Sequence, residues 1–378
     1  MLSSPSTPRV CLLSLVLGSA AIGCGGKVLS FEELRDVPNE PTSQLQSVSK
    51  PGAYEPAGLK TETPRAATNP APSPSPSPSP SPDVPAPSPV NPLSQDPVCR
   101  RWREDRQDRD EGTWSSESDQ TCPTTDISAT GRANALKMVN LYRWLAGLSP
   151  VDHDMGLDRS AQTCALLMAA NQTLSHGPSP AWNCWTEEGS RAAANSNLAS
   201  APGVFSVDGY MVDLNNDAHL GHRRWILARP LQTIGLGSVL TSPGQGYSCM
   251  WVSPVGEPWT PGTDVSGQDL VMWPPPGKVP AEVIRPAGFQ SYWPDLDDVG
   301  WSIQSDSIDL RQAQVTMTAN GATVPIVVRS LDSNVGSFYA ISLVPVGWHS
   351  VPNTRYEVDV RGIPNPFRYT VTFLDCGQ

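Results

Sequence analysis

The chain has 378 residues, enough for two domains with extensions, and only 17% of them are charged. Its formal net charge of −11 disfavours a nucleic-acid partner, because binding to phosphates depends on clustered lysine and arginine. The 40 prolines are unevenly distributed, which indicates a low-complexity segment separate from the folded domains.

An apolar run near the amino terminus is typical of an export signal. The run VCLLSLVLGSAAIG follows Arg9, the one early cation, and is too short for a comfortable membrane span. It ends at Cys24, and the small residues before this cysteine resemble the lipobox of bacterial lipoproteins. The resemblance implies a signal peptide over residues 1–23 and a lipid on Cys24, although Ala21 stands where leucine is usual. A conventional secretory signal with an incidental cysteine is the alternative.

Residues 24–98 are predicted to form a disordered Pro/Ser-rich linker. The repeat PAPSPSPSPSPSP at 70–82 is low-complexity sequence that cannot form a core. Alternating proline and serine favours polyproline II, which extends about 3.1 Å per residue. Such a linker would hold a folded domain roughly 70 Å from its anchor.

Six cysteines follow the apolar run and Cys24, and an even set in an exported chain indicates disulfides. They are Cys99, Cys122, Cys164, Cys184, Cys249 and Cys376. Proximity in sequence favours Cys99–Cys122 and Cys164–Cys184, which leaves Cys249–Cys376, but other connectivities stay open. No spacing of cysteines and histidines resembles a zinc site.

The segment after the linker is predicted to be a layered α+β domain. The mixed-charge residues 99–114 are expected to form a solvated face or a loop closed by a disulfide. Apolar residues at helical spacing predict helices within 131–148, 156–171 and 206–214. The runs TIGLGSVLT and QGYSCMWVS then predict paired strands. Helices followed by strands are typical of an α+β fold.

The last third of the chain has the alternating pattern of β-strands. QVTMTANGATVPIVV predicts a strand, a turn at Asn320-Gly321 and a second strand. FYAISLV, RYEVDV and FRYTVTF predict three more, the last with Phe367 and Tyr369 facing a core. Several short strands in this span predict an all-β, Ig-like sandwich over residues 266–378.

A series of short stretches between residues 130 and 255 resembles, in order, the CAP domain of cysteine-rich secretory proteins, insect venom antigens and plant pathogenesis-related proteins. The stretches are VNLYRWLAGLSPVDHDMGL, AQTCALLMAANQTLSH, AANSNLA, VDGYM, GHRRWIL and IGLG. They are most similar to the bacterial branch of the family. The resemblance implies a three-layer α/β/α sandwich with a central cleft. With a disulfide-closed N-terminal extension, the predicted CAP domain covers residues 99–265.

The resemblance also implies which side chains line the cleft. In the family, two histidines and acidic residues line it, and in some members they bind a divalent metal. His176 matches the first histidine and His222 the second, while Asn197 keeps an asparagine of the family motif. Ser196 stands where the family has a glutamate. Two imidazoles without a nearby carboxylate are expected to hold a metal such as zinc only weakly.

Three alternatives concern the residues around this cleft. His219 either adds a third imidazole to a zinc site or only helps to hold the local turn. Glu187 or Glu188 either replaces the missing glutamate or forms an exposed acidic helix start. Ser196 with His222 and an aspartate would be the minimum for a serine triad, but the Gly-x-Ser-x-Gly and His-Glu-x-x-His motifs are absent from the sequence.

The residues after His222 are expected to be structural. Of Arg223 and Arg224, one is predicted to pair with Asp208 or Asp213 and the other to be solvated. The apolar run at 225–227 is predicted to belong to the core.

The sequence therefore predicts an exported lipoprotein anchored in a bacterial cell envelope, periplasmic or at the surface. Its CAP domain and β-sandwich are expected to act as a non-catalytic binding module. The predicted partners are the membrane, through the lipid, and an unidentified lipid, glycan, peptide or protein, with no nucleic acid. The alternative is a hydrolase or metal-dependent enzyme that uses the His176/His222 cleft.

Overall fold

The structure, a computed structural model, describes residues 94–112, 122, 126–242, 245–253, 269–289 and 294–377. These residues belong to one compact unit, Pro85–Gln378. The predicted signal peptide, Cys24 and the Pro/Ser repeat lie outside the described residues. The end of the predicted linker is ordered, because a helix already begins at Pro97 with Asp96 as its N-cap.

The described residues form helices, strands and one short 3₁₀ turn at Ala281–Val283. The helices are α1 Pro97–Asp105, α2 Ala129–Leu145, α3 Met155–Asn171, α4 Glu187–Ala194, α5 Gly203–Val212, α6 Gly221–Ile226 and α7 Leu296–Val299. The strands are β1 Asp152–His153, β2 Ser196–Ala199, β3 Thr233–Ser242, β4 Gln245–Trp251, β5 Leu270–Trp273, β6 Gly277–Pro280, β7 Trp301–Ser305, β8 Gln314–Ala319, β9 Ala322–Val324, β10 Ile326–Ser330, β11 Tyr339–Pro345, β12 Arg355–Arg361 and β13 Phe367–Leu374. Within these described residues, no helix combines the length and apolarity that crossing a membrane requires.

The first half of this unit has three layers. Its sheet has the strand order β1-β3-β4-β2. Helices α3 and α4 cover one face, and α2 and α5 cover the other. Helix α3 approaches β3 closely, since a Cβ on Gly237 would lie 2.1 Å from the Ala161 carbonyl carbon. The predicted α+β, three-layer fold is therefore confirmed.

The caps of the long helices follow ordinary sequence rules. Ser128 caps α2 by accepting a hydrogen bond from the Gly131 amide. Asp154 caps α3 by accepting from the amides of Gly156 and Leu157. Both caps satisfy amide groups that have no partner inside the helix.

The second half is a β-sandwich of two sheets. Their strand orders are β10-β11-β7-β5 and β6-β13-β12-β8-β9. Trp301 of one sheet packs edge-on against Tyr356 and Phe373 of the other, with ring centroids 5.6 and 5.7 Å away. These contacts fill the core between the sheets, as the alternation in FRYTVTF predicts.

The predicted hairpin around Asn320-Gly321 forms, with both residues at positive φ (46° and 86°). Its second strand differs from the prediction because it divides at Pro325 into β9 and β10, which belong to different sheets. Proline has no amide hydrogen for a β-ladder. Its carbonyl instead accepts from Trp348 Nε1 at 2.7 Å.

The six cysteines form three disulfides, but not in the pairs that sequence proximity favours. The bonds are Cys99–Cys376, Cys122–Cys184 and Cys164–Cys249. Proximity was the wrong criterion because folding places β4 against α3, and α1 beside the end of the chain. In the segment predicted as a solvated face or a loop closed by a disulfide, residues 99–105 belong to helix α1, which buries Cys99 and Trp102.

The prediction for Arg223 and Arg224 is also wrong, because both side chains are completely buried. Asp208 pairs instead with Arg106 and Arg109, at 2.7 and 2.8 Å. The five N–H groups of a guanidinium can satisfy several carbonyls at once, so a buried arginine does not need a carboxylate for each hydrogen bond.

The disulfide that joins α1 to the chain end should contribute most to stability. Cys99 and Cys376 are 277 residues apart in sequence. Replacing both with serine should lower the free energy of unfolding by about 3–5 kcal/mol, because the unfolded chain gains conformational entropy. Denaturant unfolding of the folded domains measures this change.

The matched control removes Cys122–Cys184, whose separation is 62 residues. Its loss should cost about 1 kcal/mol less in the chain-entropy relation. Equal stability of the wild type and the Cys99→Ser/Cys376→Ser variant would contradict this assignment.

Candidate functional site

A cleft of about 340 Å³ opens between the end of the three-layer sheet and helix α6. Its lining consists of His176, Ala194, Asn195, Ser196, Asn197, Asn216, His219, Gly221, His222, Trp225, Val252, Ser253, Asp332 and Val335. The structure thus brings the sequence-predicted residues His176, Ser196, Asn197 and His222 to one cleft. It adds His219, for which the sequence analysis left open a third imidazole or a role in the neighbouring turn, and Trp225, which it assigned to the core.

His176 follows the end of α3 and is held by the end of α4. Its Nδ1 lies 2.8 Å from the carbonyl oxygen of Ala193. A carbonyl can only accept, so Nδ1 carries the hydrogen and the neutral ring leaves its Nε2 lone pair available. Nε2 has no hydrogen bond to any residue that the structure describes.

His222 lies in the first turn of α6 and is oriented by a buried carboxylate. Its Nδ1 is 2.8 Å from Asp213 Oδ1. The other oxygen of Asp213 accepts from the Arg223 amide at 3.1 Å. The expectation that no carboxylate lies near the two histidines is therefore wrong. The signal was present in the sequence, because Asp213 follows VDGYM, but the chain reversal that brings it to His222 was not recognised.

Two cations flank this carboxylate. Burial lowers the pKa of Arg223 to about 10, an effect that Asp213 partly offsets. Burial also lowers the pKa of Arg224 to about 10, again partly offset by Asp213. Both guanidiniums are therefore protonated at neutral pH.

Three asparagines of the cleft share one arrangement. Each donates a side-chain N–H to a protein acceptor, Asn195 to the Arg191 carbonyl, Asn197 to the His222 carbonyl and Asn216 to Asp213 Oδ1, at distances of 2.8, 3.0 and 2.9 Å. Among the described residues, their Oδ1 atoms accept no hydrogen bond. The cleft therefore presents fixed acceptor atoms.

Ser196 lies at the start of β2 and is buried. Its Oγ has no hydrogen-bond partner in the part of the chain that the structure describes. No base is thus positioned to activate this hydroxyl, which is the contact that a serine nucleophile needs. Glu187 and Glu188 do not replace the missing glutamate. They are exposed in the first turn of α4, where Ser160 Oγ donates to Glu188 at 2.6 Å.

His219 contacts the β-sandwich. Its Nδ1 lies 2.7 Å from Asp332 Oδ2, and both side chains are substantially exposed. Asp332 lies in the loop between β10 and β11. Sequence analysis missed this residue, because nothing in the local pattern indicates that this loop reaches the cleft.

The two main cleft histidines partly fit a metal. Each has Nδ1 held by an acceptor and Nε2 left free, which is how metal-binding histidines are usually oriented. Among the described residues, these two histidines and a third histidine, cysteine or carboxylate ligand do not come within 4.8 Å of one another. In the described ranges, the one set of three such donors with ligand atoms within 4.8 Å of one another is Asp295, Asp297 and His349, in the sandwich. His176, His219 and His222 therefore do not form a compact three-histidine centre.

The aspartates of that other set already have structural partners. Asp295 caps α7 and pairs with Arg285 at 2.8 Å. Asp297 accepts hydrogen bonds from Trp301 Nε1 and from Ser350. Their oxygens stabilise the fold, so this cluster is not the better candidate site.

Residues 136–252 match the model of the CAP family, the cysteine-rich secretory protein family. The matched segment runs from within α2 to the end of β4 and forms a CAP domain, followed by the β-sandwich. It contains every sequence-predicted cleft residue from His176 to His222. No curated protein matches the chain.

Zinc titration tests how far the cleft can hold a metal. The wild type should bind zinc weakly, because two imidazoles supply too few ligands. Ser196→Glu should raise the affinity by about tenfold or more, since it adds a charged oxygen ligand. Calorimetry of the purified folded domains measures both values.

His219→Ala is the matched control, and it should change zinc affinity little because His219 is paired with Asp332. Tight zinc binding by the wild type that disappears in His219→Ala would instead establish a three-histidine site.

Proposed function

We propose that this protein is a membrane-anchored binding protein whose CAP cleft binds a hydroxyl-rich ligand, such as a saccharide, without converting it. The three disulfides among the described residues and the CAP domain indicate an exported protein. The bacterial lipoprotein anchor and the non-catalytic role are parts of this proposal.

The observation that carries the proposal is the set of acceptor atoms in the cleft. Nε2 of His176 and His222 and Oδ1 of Asn195, Asn197 and Asn216 have no protein donor among the described residues. Neutral hydroxyl groups are donors that match such atoms. Trp225 adds an aromatic surface to the lining, which suits the apolar face of a sugar ring.

The cleft also disfavours anionic ligands. Among the described residues that line it, none is a lysine or an arginine, and Asp332 is the one acidic residue. A phosphate or carboxylate would therefore meet acceptors and a carboxylate rather than charged donors. The best-supported ligand is uncharged or cationic.

Binding without turnover agrees with the position of Ser196. Its hydroxyl is buried and without a basic partner among the described residues. His176 and His222 both keep Nε2 for a ligand and neither orients a nucleophile. A bound ligand would be held rather than activated.

The binding test uses neutral oligosaccharides of glucose and of N-acetylglucosamine as probes, with a sulfated oligosaccharide for comparison. A neutral probe should bind, and the sulfated one should bind more weakly. His176→Ala should weaken neutral binding by about three- to tenfold, the value of one hydrogen bond. Calorimetry gives the affinities, and mass spectrometry of the recovered probe tests for cleavage.

His349→Ala is the control, because His349 is an exposed histidine of the sandwich outside the cleft. It should leave binding unchanged. Shortened oligosaccharides would refute the non-catalytic role, and the absence of binding to all neutral probes would refute the ligand class.

The anchor has its own test. Cleavage before Cys24 should leave an acylated cysteine at the mature amino terminus. Mass spectrometry of the native protein should find this modified residue, and Cys24→Ser should release the protein from membranes. An unmodified amino terminus at another residue would rule out the lipoprotein assignment.

A second candidate function is a metal-dependent enzyme that uses the same cleft. The orientation of His176 and His222 through Nδ1 favours it. The missing third ligand counts against it, and the zinc titration decides between the two functions.

A further inference from the structure

The cleft of the CAP domain is completed by the C-terminal sandwich. Asp332 and Val335 line it, and both belong to the β10–β11 loop, residues 331–338. The family match ends at residue 252, so these two side chains come from outside the matched segment. A ligand in the cleft would contact both halves of the folded unit.

The β10–β11 loop is held tightly against α6. Arg224 Nη1 donates to the carbonyls of both His219 and Asp332, at 3.0 and 2.8 Å. Its Nη2 donates to the carbonyl of Ser337 at 3.1 Å. One buried side chain thus fixes the CAP domain and the loop in the same arrangement.

The loop also depends on a glycine at its closest approach. Gly336 has φ +65°, and a Cβ there would lie 2.4 Å from the carbonyl carbon of Arg224. Only glycine adopts this conformation and distance without displacement of α6. Asp332 is therefore held at a defined position beside the cleft.

Asp332 differs in chemistry from the other lining residues. Among the described residues that line the cleft, Asp332 is the one carboxylate, and none of them is a lysine or an arginine. Its Oδ2 contacts His219, while among the described residues Oδ1 has no hydrogen-bond partner. Its side chain is 64% exposed, so a ligand can reach it.

We propose that Asp332 is a specificity-determining residue that selects ligands with a primary ammonium group beside their hydroxyl groups. This proposal rests on the proposed function, since the CAP residues would bind the hydroxyl groups. The ammonium would pair with Asp332 at the edge of the cleft. An amino saccharide supplies both groups, whereas a lysine side chain supplies the ammonium alone.

The test compares two tetrasaccharides of equal length, a glucosamine tetramer with free amines and its fully N-acetylated form. The wild type should bind the amine form about two- to fivefold more tightly at a pH where the amines are protonated, the range for an exposed ion pair. Added salt should reduce this preference, because it screens exposed charges. Tetralysine is the third probe and should bind more weakly than the amine saccharide.

Asp332→Asn should abolish the preference, so that the amine and N-acetylated tetramers bind with equal affinity. The matched control is Asp217→Asn. Asp217 is similarly exposed, at 59%, and pairs with Arg329, but it does not line the cleft. This control removes the same charge and should keep the preference.

The outcomes separate the two proposals. If neither saccharide binds, the proposed function fails. If both bind equally to the wild type, or if Asp217→Asn abolishes the preference as Asp332→Asn does, the role of Asp332 is overturned. If tetralysine binds more tightly than the amine saccharide, the ligand is a basic peptide and the saccharide assignment is wrong.

Discussion

The burial of two adjacent arginines in α6 is the constraint on which the site and the domain contact both depend. Arg223 donates to the carbonyls of Met211 and Val212 at the end of α5, and to the carbonyl of Gly300 in the sandwich. Arg224 donates to the β10–β11 loop. Guanidiniums taken out of water are costly unless their N–H groups are satisfied. Separation of the CAP domain from the sandwich would therefore break the hydrogen bonds of Arg223 to Gly300 and of Arg224 to the β10–β11 loop.

The same arginines constrain the histidine beside them. Because Arg223 and Arg224 must point into the protein, the helical spacing of α6 directs the preceding His222 towards the cleft. One carboxylate oxygen of Asp213 contacts the His222 imidazole, and the other accepts a hydrogen bond from the Arg223 amide. The orientation of the His222 ring is thus a consequence of the way the neighbouring arginines pack in the core.

The connection between α5 and α6 shows backbone strain at this point. Asp213, Asn215 and Leu220 all have positive φ, at 66°, 59° and 49°. For residues other than glycine such a conformation costs on the order of 1 kcal/mol or more. The apolar side chain of Leu220 is fully buried, and its packing offsets this cost. Strain of this kind is common beside functional sites, where it places side chains that an ordinary turn would not.

Local patterns predicted the long elements well, because helical and strand periodicity is a property of neighbouring residues. The helix faces of α2 and α3 and the alternation of β13 are examples. The predicted cleft residues came from resemblance and occur together at one cavity. The disulfide partners, the partner of Asp208 and the place of Asp332 could not be predicted, since each depends on contacts between residues far apart in sequence. The carbonyl of Asp332, for example, accepts a hydrogen bond from Arg224, which is 108 residues away in sequence.

The serine at position 196, where the CAP family that the sequence resembles has a glutamate, bears on what the proposed cleft could recognise. In the CAP family that the sequence resembles, a glutamate at this position would add a full negative charge near the two histidines and favour a metal. With serine at this position, the carboxylate among the described lining residues is Asp332, at the exposed edge, while Asp213 lies buried against His222. Neutral acceptors on the lining and a charge at its edge would favour the proposed ligand with its hydroxyl groups inside and its cationic group near water beside Asp332, because the buried Asp213 already accepts from Asn216 and the Arg223 amide and contacts His222.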